Sequence, residues 1–293
     1  MNIFEAIVIA IVEGLTEFLP VSSTGHMIIT QALLGVESSP FVKAFTVIIQ
    51  FGAILSVVIL YWKRFFRLNQ ITVSDGNIMA GMSAHKRGQT IIRRFLYKFD
   101  FYWKLLIAVI PAGVIGILLG DYIDALLENV TVVAVMLVVG GFFMLFVDKW
   151  FNRPSQDQSM NWQRALKIGF FQCIAMIPGI SRSMATIVGG MGTRLSRKNA
   201  AEFSFFLAVP TMAAAAGYKL FQLLKDPVSS DMLKDNLILL VIGNVVAFIV
   251  AIFAIRFFID FLTRYGFKTF GIYRIIVGSL LLALIFSGAD LSI

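Results

Sequence analysis

Apolar runs long enough to cross a bilayer recur along the whole chain. Six read as full spans, near residues 45–62, 105–120, 131–147, 201–218, 237–258 and 270–287, each close to the ~20 residues that a crossing helix needs. Two further apolar regions, 1–35 and 168–192, are each interrupted by polar residues and a proline, Pro20 in the first and Pro178 in the second. The runs are apolar all round rather than alternating, which predicts helices and disfavours the strands of a β-barrel. The pattern predicts an all-α polytopic membrane protein.

Charge gives the orientation. Segment 63–104 carries Lys63, Arg64, Arg67, Lys86, Arg87, Arg93, Arg94, Lys98 and Lys104, and positive-inside bias places it in the cytoplasm. Asp121, Asp124 and Glu128 follow the next span without a base, so that loop is expected outside. Lys149, Arg153, Arg164 and Lys167 return the chain to the cytoplasm, and Arg194, Arg197 and Lys198 follow the second interrupted region. That region therefore starts and ends on one side, and the first behaves likewise from the other. The expected plan is six full transmembrane helices plus two re-entrant helical hairpins in an inverted repeat, with 1–147 as the first copy and 168–293 as the second, in one membrane domain. A gapless shift of 158 positions supports it: "LPVSSTGHMII" (19–29) falls on "IPGISRSMATI" (177–187), aligning the prolines, Ser23 with Ser181 and Ile29 with Ile187. The same shift lays "AFTVII" (44–49) on "EFSFFL" (202–207).

Composition agrees. Hydrophobic residues make up 58% of the 293 and charged residues 14%, against about a quarter charged in soluble domains. The net charge of +8 sits mostly at the ends of apolar runs, so no nucleic-acid partner is expected; membrane lipids are. Cys173 is the sole cysteine, which excludes a disulfide framework or a cysteine metal cluster. Glu5 stands where a cleaved signal peptide would carry bases.

The chemistry concentrates in the two breaks. "EGLTEFLPVSSTGH" (13–26) holds Glu13 and Glu17 at i, i+4, one above the other on a helix face. A charge at bilayer depth costs about 2.5–3.5 kcal/mol on insertion scales, so both are candidate site residues. They are suited to Mg²⁺ or Ca²⁺, which prefer oxygen, or to general-base duty. Pro20 ends the helix, and Ser22, Ser23 or Thr24 caps the next, whose N-terminus favours an anion. His26 lies three residues beyond Ser23 as an acid or base. The second break, "IPGISRSMAT" (177–186), offers Ser181, Ser183 and Thr186, with Arg182 as a bidentate phosphate ligand. The constellation suits a phosphorylated ligand with a lipid tail, provided that the two breaks meet. Gln50 and Glu202 read as bundle hydrogen-bonders, Tyr273 and Arg274 as an interfacial anchor, and His85 as an unremarked loop residue.

These two stretches resemble the signature regions of the undecaprenyl-diphosphate phosphatase family of the bacitracin-resistance type: its E-x-x-x-E with Ser-Ser-Thr-Gly-His, and its P-G-x-S-R-S-x-x-T. "FQC" (171–173) and "AAEFSFFLAVP" (200–210) resemble its flanking segments. The chain departs from the family pattern at Thr46, where the family has an acid, and at Met184, where a Gly is common. The resemblance implies a multi-pass enzyme of the bacterial plasma (inner) membrane that hydrolyses a polyprenyl diphosphate lipid, undecaprenyl diphosphate, with a divalent cation. It implies Glu17, Ser23, His26 and Arg182 as catalytic residues, Glu13 and Glu17 on the metal, and Glu13, Ser22, Thr24, Ser181, Ser183 and Thr186 on substrate. Ser23 and an activated water remain alternative nucleophiles, and a homodimer is compatible with the chain. The competing expectation is a secondary transporter or flippase for a phosphorylated polyprenyl lipid, since broken helices in inverted repeats also serve carriage. A type-2 phosphatidic acid phosphatase is excluded on motif grounds, because no His follows "SRSMAT".

Overall fold

In the computed structural model, residues 1–37, 39–66, 94–127 and 129–288 are described. The broken first region forms α1 (Ile3–Thr16) and α2 (Ser23–Leu34). The chain continues through α3 (Pro40–Ile48), α4 (Gln50–Leu60) and the short α5 (Trp62–Phe66). After 67–93 come α6 (Asp100–Leu127) and α7 (Val130–Phe151). The broken second region is α8 (Trp162–Ile174) and α9 (Arg182–Gly192). Then follow α10 (Arg197–Lys225), α11 (Pro227–Asp235), α12 (Leu237–Tyr265) and α13 (Lys268–Phe286).

Six helices are long and apolar enough to cross a membrane: Pro40–Leu60, Asp100–Gly120, Val130–Phe151, Arg197–Lys225, Leu237–Tyr265 and Lys268–Phe286. They correspond one to one with the six apolar runs, and three of them start four or five residues earlier. Asn129 accepts from the Val132 amide and Ser39 from the Val42 amide, the latter just before Pro40 at the first helical position. The first span is not one smooth helix. It is interrupted at Ile49, between α3 and α4, where the Asn244 side chain of α12 accepts the Gly52 amide at 2.9 Å. By contrast α1 has 14 residues and α8 has 13, a rise of about 20 Å against a hydrocarbon core of ~30 Å. Neither crosses alone.

Helix partners are exchanged between the two halves: α1 packs on α12, α8 packs on α6, and α7 packs on α13. At the α7–α13 crossing a Cβ on Gly141 would stand 2.8 Å from the Gly271 carbonyl oxygen, and one on Gly271 2.8 Å from that of Gly141. Only hydrogen fits at either position. Two of the basic loops expected on one side, 148–167 and the turn before α10, lie in contact. Arg197 at the start of α10 pairs with Asp148 of α7 at 2.8 Å, and the Ser155 amide donates to Arg194 O at 2.9 Å. Most of the large basic segment and Glu128 of the acidic loop lie outside the described residues, as does His85; the Asp121 and Asp124 side chains are also outside the description.

Gly271→Ala is expected to lower the melting temperature in detergent, an overpacking cost of about 1–3 kcal/mol. Gly113→Ala, where an added Cβ meets nothing within 4 Å, is expected to leave it unchanged or raise it. Equal melting of the two variants would refute the close crossing.

Candidate active site

The two breaks touch. Ser183 Oγ donates to Phe18 O at 2.6 Å, and Ser181 Oγ reaches Leu19 O at 3.5 Å. Arg182 Nη2 lies 2.9 Å from Glu17 Oε1. The other oxygen of the same carboxylate, Oε2, accepts the Ser23 hydroxyl at 2.7 Å. One carboxylate thus joins the hydroxyl from the first break to the guanidinium from the second. Glu13 stands one turn below on α1, 1% exposed, within Coulombic reach of Glu17 and Arg182.

Each half-helix begins on a serine in the left-handed region, Ser22 at φ 70° before α2 and Ser181 at φ 77° before α9. The caps differ. Ser181 Oγ accepts the Met184 amide, whereas the Ser22 side chain makes no capping bond, contrary to the expectation for the first break. The first amides of α2 therefore keep no side-chain cap. The spacing differs too. Pro20 and Pro178 stand 158 apart, but the two cap serines stand 159 apart. The additional residue falls at Gly179, φ 88°, where a Cβ would sit 2.5 Å from Val133 O. The gapless shift aligned Ser23 with Ser181, whereas the serine that precedes α2, as Ser181 precedes α9, is Ser22.

Arg182 is held from behind. Nη1 donates to Ser204 O at 3.2 Å, Nη2 also approaches Met212 Sδ at 3.2 Å, and the guanidinium carbon stands 5.8 Å from the Phe18 ring centroid. Thr186 Oγ1 donates to Arg182 O at 2.8 Å and shares a 2.6 Å bond with the Ser204 hydroxyl. Ser183 and Thr186 are wholly buried. Direct phosphate contact was expected of both from the motif. Their hydroxyls instead close bonds within the protein, Ser183 tying the second break to the first and Thr186 fixing the turn that carries Arg182. Thr24 is half-buried on the first turn of α2.

His26 departs from the expected pairing with Ser23. Its Nδ1 lies 2.8 Å from Ser22 O and its Nε2 2.7 Å from Tyr273 Oη. Tyr273 and Arg274, expected as a boundary anchor, are part of the site's frame. Arg274 is 0% exposed. Its five N–H groups match five carbonyls. Nη1 bonds Pro20 O and Ile180 O, Nη2 bonds Gly179 O and Met136 O, and Nε bonds Leu137 O, at 2.6–3.3 Å. The first three carbonyls belong to the two breaks, which Arg274 clamps together.

Three buried polar side-chain atoms among the described residues have no hydrogen-bond partner: Glu13 Oε1, Arg182 Nε and Gln172 Nε2. The first two belong to residues that interact with Glu17. An unpaired carboxylate oxygen and an unpaired guanidinium N–H in one site suit a ligand that brings both a cation and oxyanions. No group of three or more His, Cys, Asp or Glu able to hold a metal occurs among the described residues. Glu13 and Glu17 are two carboxylates, so a cation placed between them would need further ligands from substrate or water.

Replacing Arg274 by Lys leaves three donors for five carbonyls. At about 1–3 kcal/mol for each buried group left unpaired, Arg274→Lys is expected to reduce thermal stability severely. Arg182 has fewer partners and a side chain 14% exposed, and Arg182→Lys is expected to reduce it much less. Melting curves of both variants in detergent check the order.

A family described as "Bacitracin resistance protein BacA" matches residues 6–280. The chain is 55% identical to an undecaprenyl-diphosphatase of Porphyromonas gingivalis, over all of both chains. It is 53% identical to one of Flavobacterium johnsoniae over 98% of this chain and 97% of that one. An undecaprenyl-diphosphatase 1 of Clostridioides difficile is 42% identical over 98% and 97%. With matches of this extent, this multi-pass membrane chain belongs to the BacA family.

Proposed function

We propose that this chain hydrolyses undecaprenyl diphosphate to undecaprenyl phosphate and inorganic phosphate, at a site within the bilayer of the bacterial plasma membrane. The relatives' names give the reaction, and one observation carries it to these residues. A buried carboxylate, Glu17, holds the Ser23 hydroxyl on one oxygen and the Arg182 guanidinium on the other. Base, nucleophile and phosphate ligand are already in register.

Glu17 accepts the Ser23 proton as Oγ bonds to the terminal phosphorus, and the bond from that phosphorus to the bridging oxygen breaks, leaving the lipid monophosphate. Water then attacks the phosphoserine and returns Ser23. Ser23 is preferred over direct water attack because its hydroxyl is already on the base. Arg182 neutralises the phosphoryl oxygens as charge builds there, using the Nε that has no protein partner. Glu13 and Glu17 would hold Mg²⁺ or Ca²⁺, which supplies further charge neutralisation to the diphosphate when bound. Ser22, Ser181 and Thr24 border the two half-helix N-termini, whose amides face the same anion. Removing the diphosphate lipid removes the target of bacitracin, in keeping with the family's description.

We further propose that α1–α2 and α8–α9 are re-entrant hairpins of an inverted repeat, residues 1–147 and 168–293. The short α1 and α8, the exchanged helix partners and the matching strained serines support this. Such a plan also serves transporters, and an assay without compartments separates the readings.

Purified protein in detergent, given C55 diphosphate lipid, is expected to release inorganic phosphate and to lose that activity with a chelator. Glu17→Gln, Ser23→Ala and Arg182→Ala are each expected to lower kcat by about 10²–10⁴-fold, the range for removing a general base or a charge-stabilising donor. No phosphate release by the unaltered protein would favour carriage. Full activity of Ser23→Ala with loss in Glu17→Gln would assign the attack to water.

A further inference from the structure

His26 is 9% exposed and, in this structure, bonded to neither Ser23 nor Glu17. Its two ring nitrogens are nevertheless assigned by their partners. Ser22 O at 2.8 Å has no hydrogen to give, so Nδ1 carries the proton and donates it. Nε2 is then the working nitrogen, and its partner is Tyr273 Oη at 2.7 Å. The two rings lie parallel, 9° apart with centroids 5.6 Å apart, which fixes the imidazole plane as well. Tyr273 comes from α13, 247 positions away, and is 43% exposed. Its neighbour Arg274 is the charged group that acts on His26, and it is committed to five carbonyls.

We propose that Tyr273 is a catalytic residue of this site: its ring sets the plane of His26, and its hydroxyl is the relay through which His26 Nε2 exchanges its proton with the substrate side. This rests on the hydrolytic reading above. With neutral His26 the tyrosine O–H donates to Nε2. With the imidazolium, Nε2–H donates to the tyrosine oxygen, and the tyrosine hydrogen turns outward to the leaving phosphate oxygen or to water. Transfer passes the tyrosine hydrogen to that oxygen while Nε2 gives its hydrogen to the tyrosine. One O–H bond and one N–H bond break, two O–H bonds form, the tyrosine is neutral before and after, and the imidazolium becomes imidazole. His26 therefore need not touch the substrate, in keeping with its burial.

Tyr273→Phe keeps the stacked ring and removes only the hydroxyl. On C55 diphosphate lipid it is expected to lower kcat by about 10–100-fold, the lower part of the range for general acid–base catalysis, with KM within about twofold and melting unchanged. In a His26→Gln background the same change is expected to cost nothing further, because the relay needs both groups. Protein labelled with ¹⁵N-histidine, with His85→Gln to leave a single imidazole, provides a readout independent of turnover. The Nδ1-protonated tautomer is expected, and Tyr273→Phe is expected to move the Nε2 resonance toward that of a nitrogen without a donor. Wild-type kcat in Tyr273→Phe, additive losses in the double variant, or an unmoved Nε2 resonance would each overturn the proposal. Absence of phosphate release by the wild-type protein would instead overturn the hydrolytic reading.

Discussion

The site depends on one buried guanidinium. Arg274 spends all of its N–H groups on backbone carbonyls, three of which belong to the two chain breaks. A broken helix inside a bilayer leaves carbonyls that neither water nor the helix can satisfy. Two such breaks facing each other double the difficulty, and a planar fork of donors between them resolves it. The charge is costly to bury unless every donor is matched, and here each one is. Gly179 belongs to the same solution. Its left-handed turn and lack of a side chain bring its carbonyl onto Arg274 and the second break against α7.

The clamp explains how Glu17 and Arg182, 165 positions apart, reach ion-pair distance. α1 and α8 each run up to a break, Arg274 bonds carbonyls of both breaks, and Ser183 adds a second tie between them. Only then do Ser23 and Arg182 share a carboxylate. Thr186 and Ser204 add a buried pair of hydroxyls behind Arg182, so the arginine is presented rather than free to swing. The polar residues of the two motifs thus divide into a few that face the ligand and several that hold those few in place.

Much of this was legible in the chain. Apolar runs announced the six spans, and a proline amid polar residues announced each break. The motifs called for the two breaks to meet, and the contact of Glu17 with Arg182 is one place where they do. What stayed hidden had physical reasons. Tyr273 and Arg274 sit beside an apolar run, where an aromatic next to a base has the composition of an interfacial anchor, and only the fold turns them inward. Ser183 and Thr186 share a motif with Arg182, and spacing alone does not separate a hydroxyl that binds ligand from one that binds backbone. The additional residue at Gly179 offsets the two helix starts by one position relative to their prolines, which a gapless comparison cannot register. The break at Ile49 arises from Asn244, a partner on a distant helix, and leaves no local signal.

The contact between Arg182 and Glu17 has a consequence for turnover. In the resting site the arginine already has an internal counter-ion. Under the proposed function, an arriving diphosphate would meet a guanidinium that a tethered carboxylate already half neutralises, which would lower ground-state affinity for every phosphate species. After cleavage the same carboxylate would act in the opposite sense, neutralising the guanidinium as inorganic phosphate loosens and disfavouring its return. A membrane-embedded pocket with a strong anion receptor risks becoming a trap for its own product, and a built-in anion at 2.9 Å is a means of emptying it.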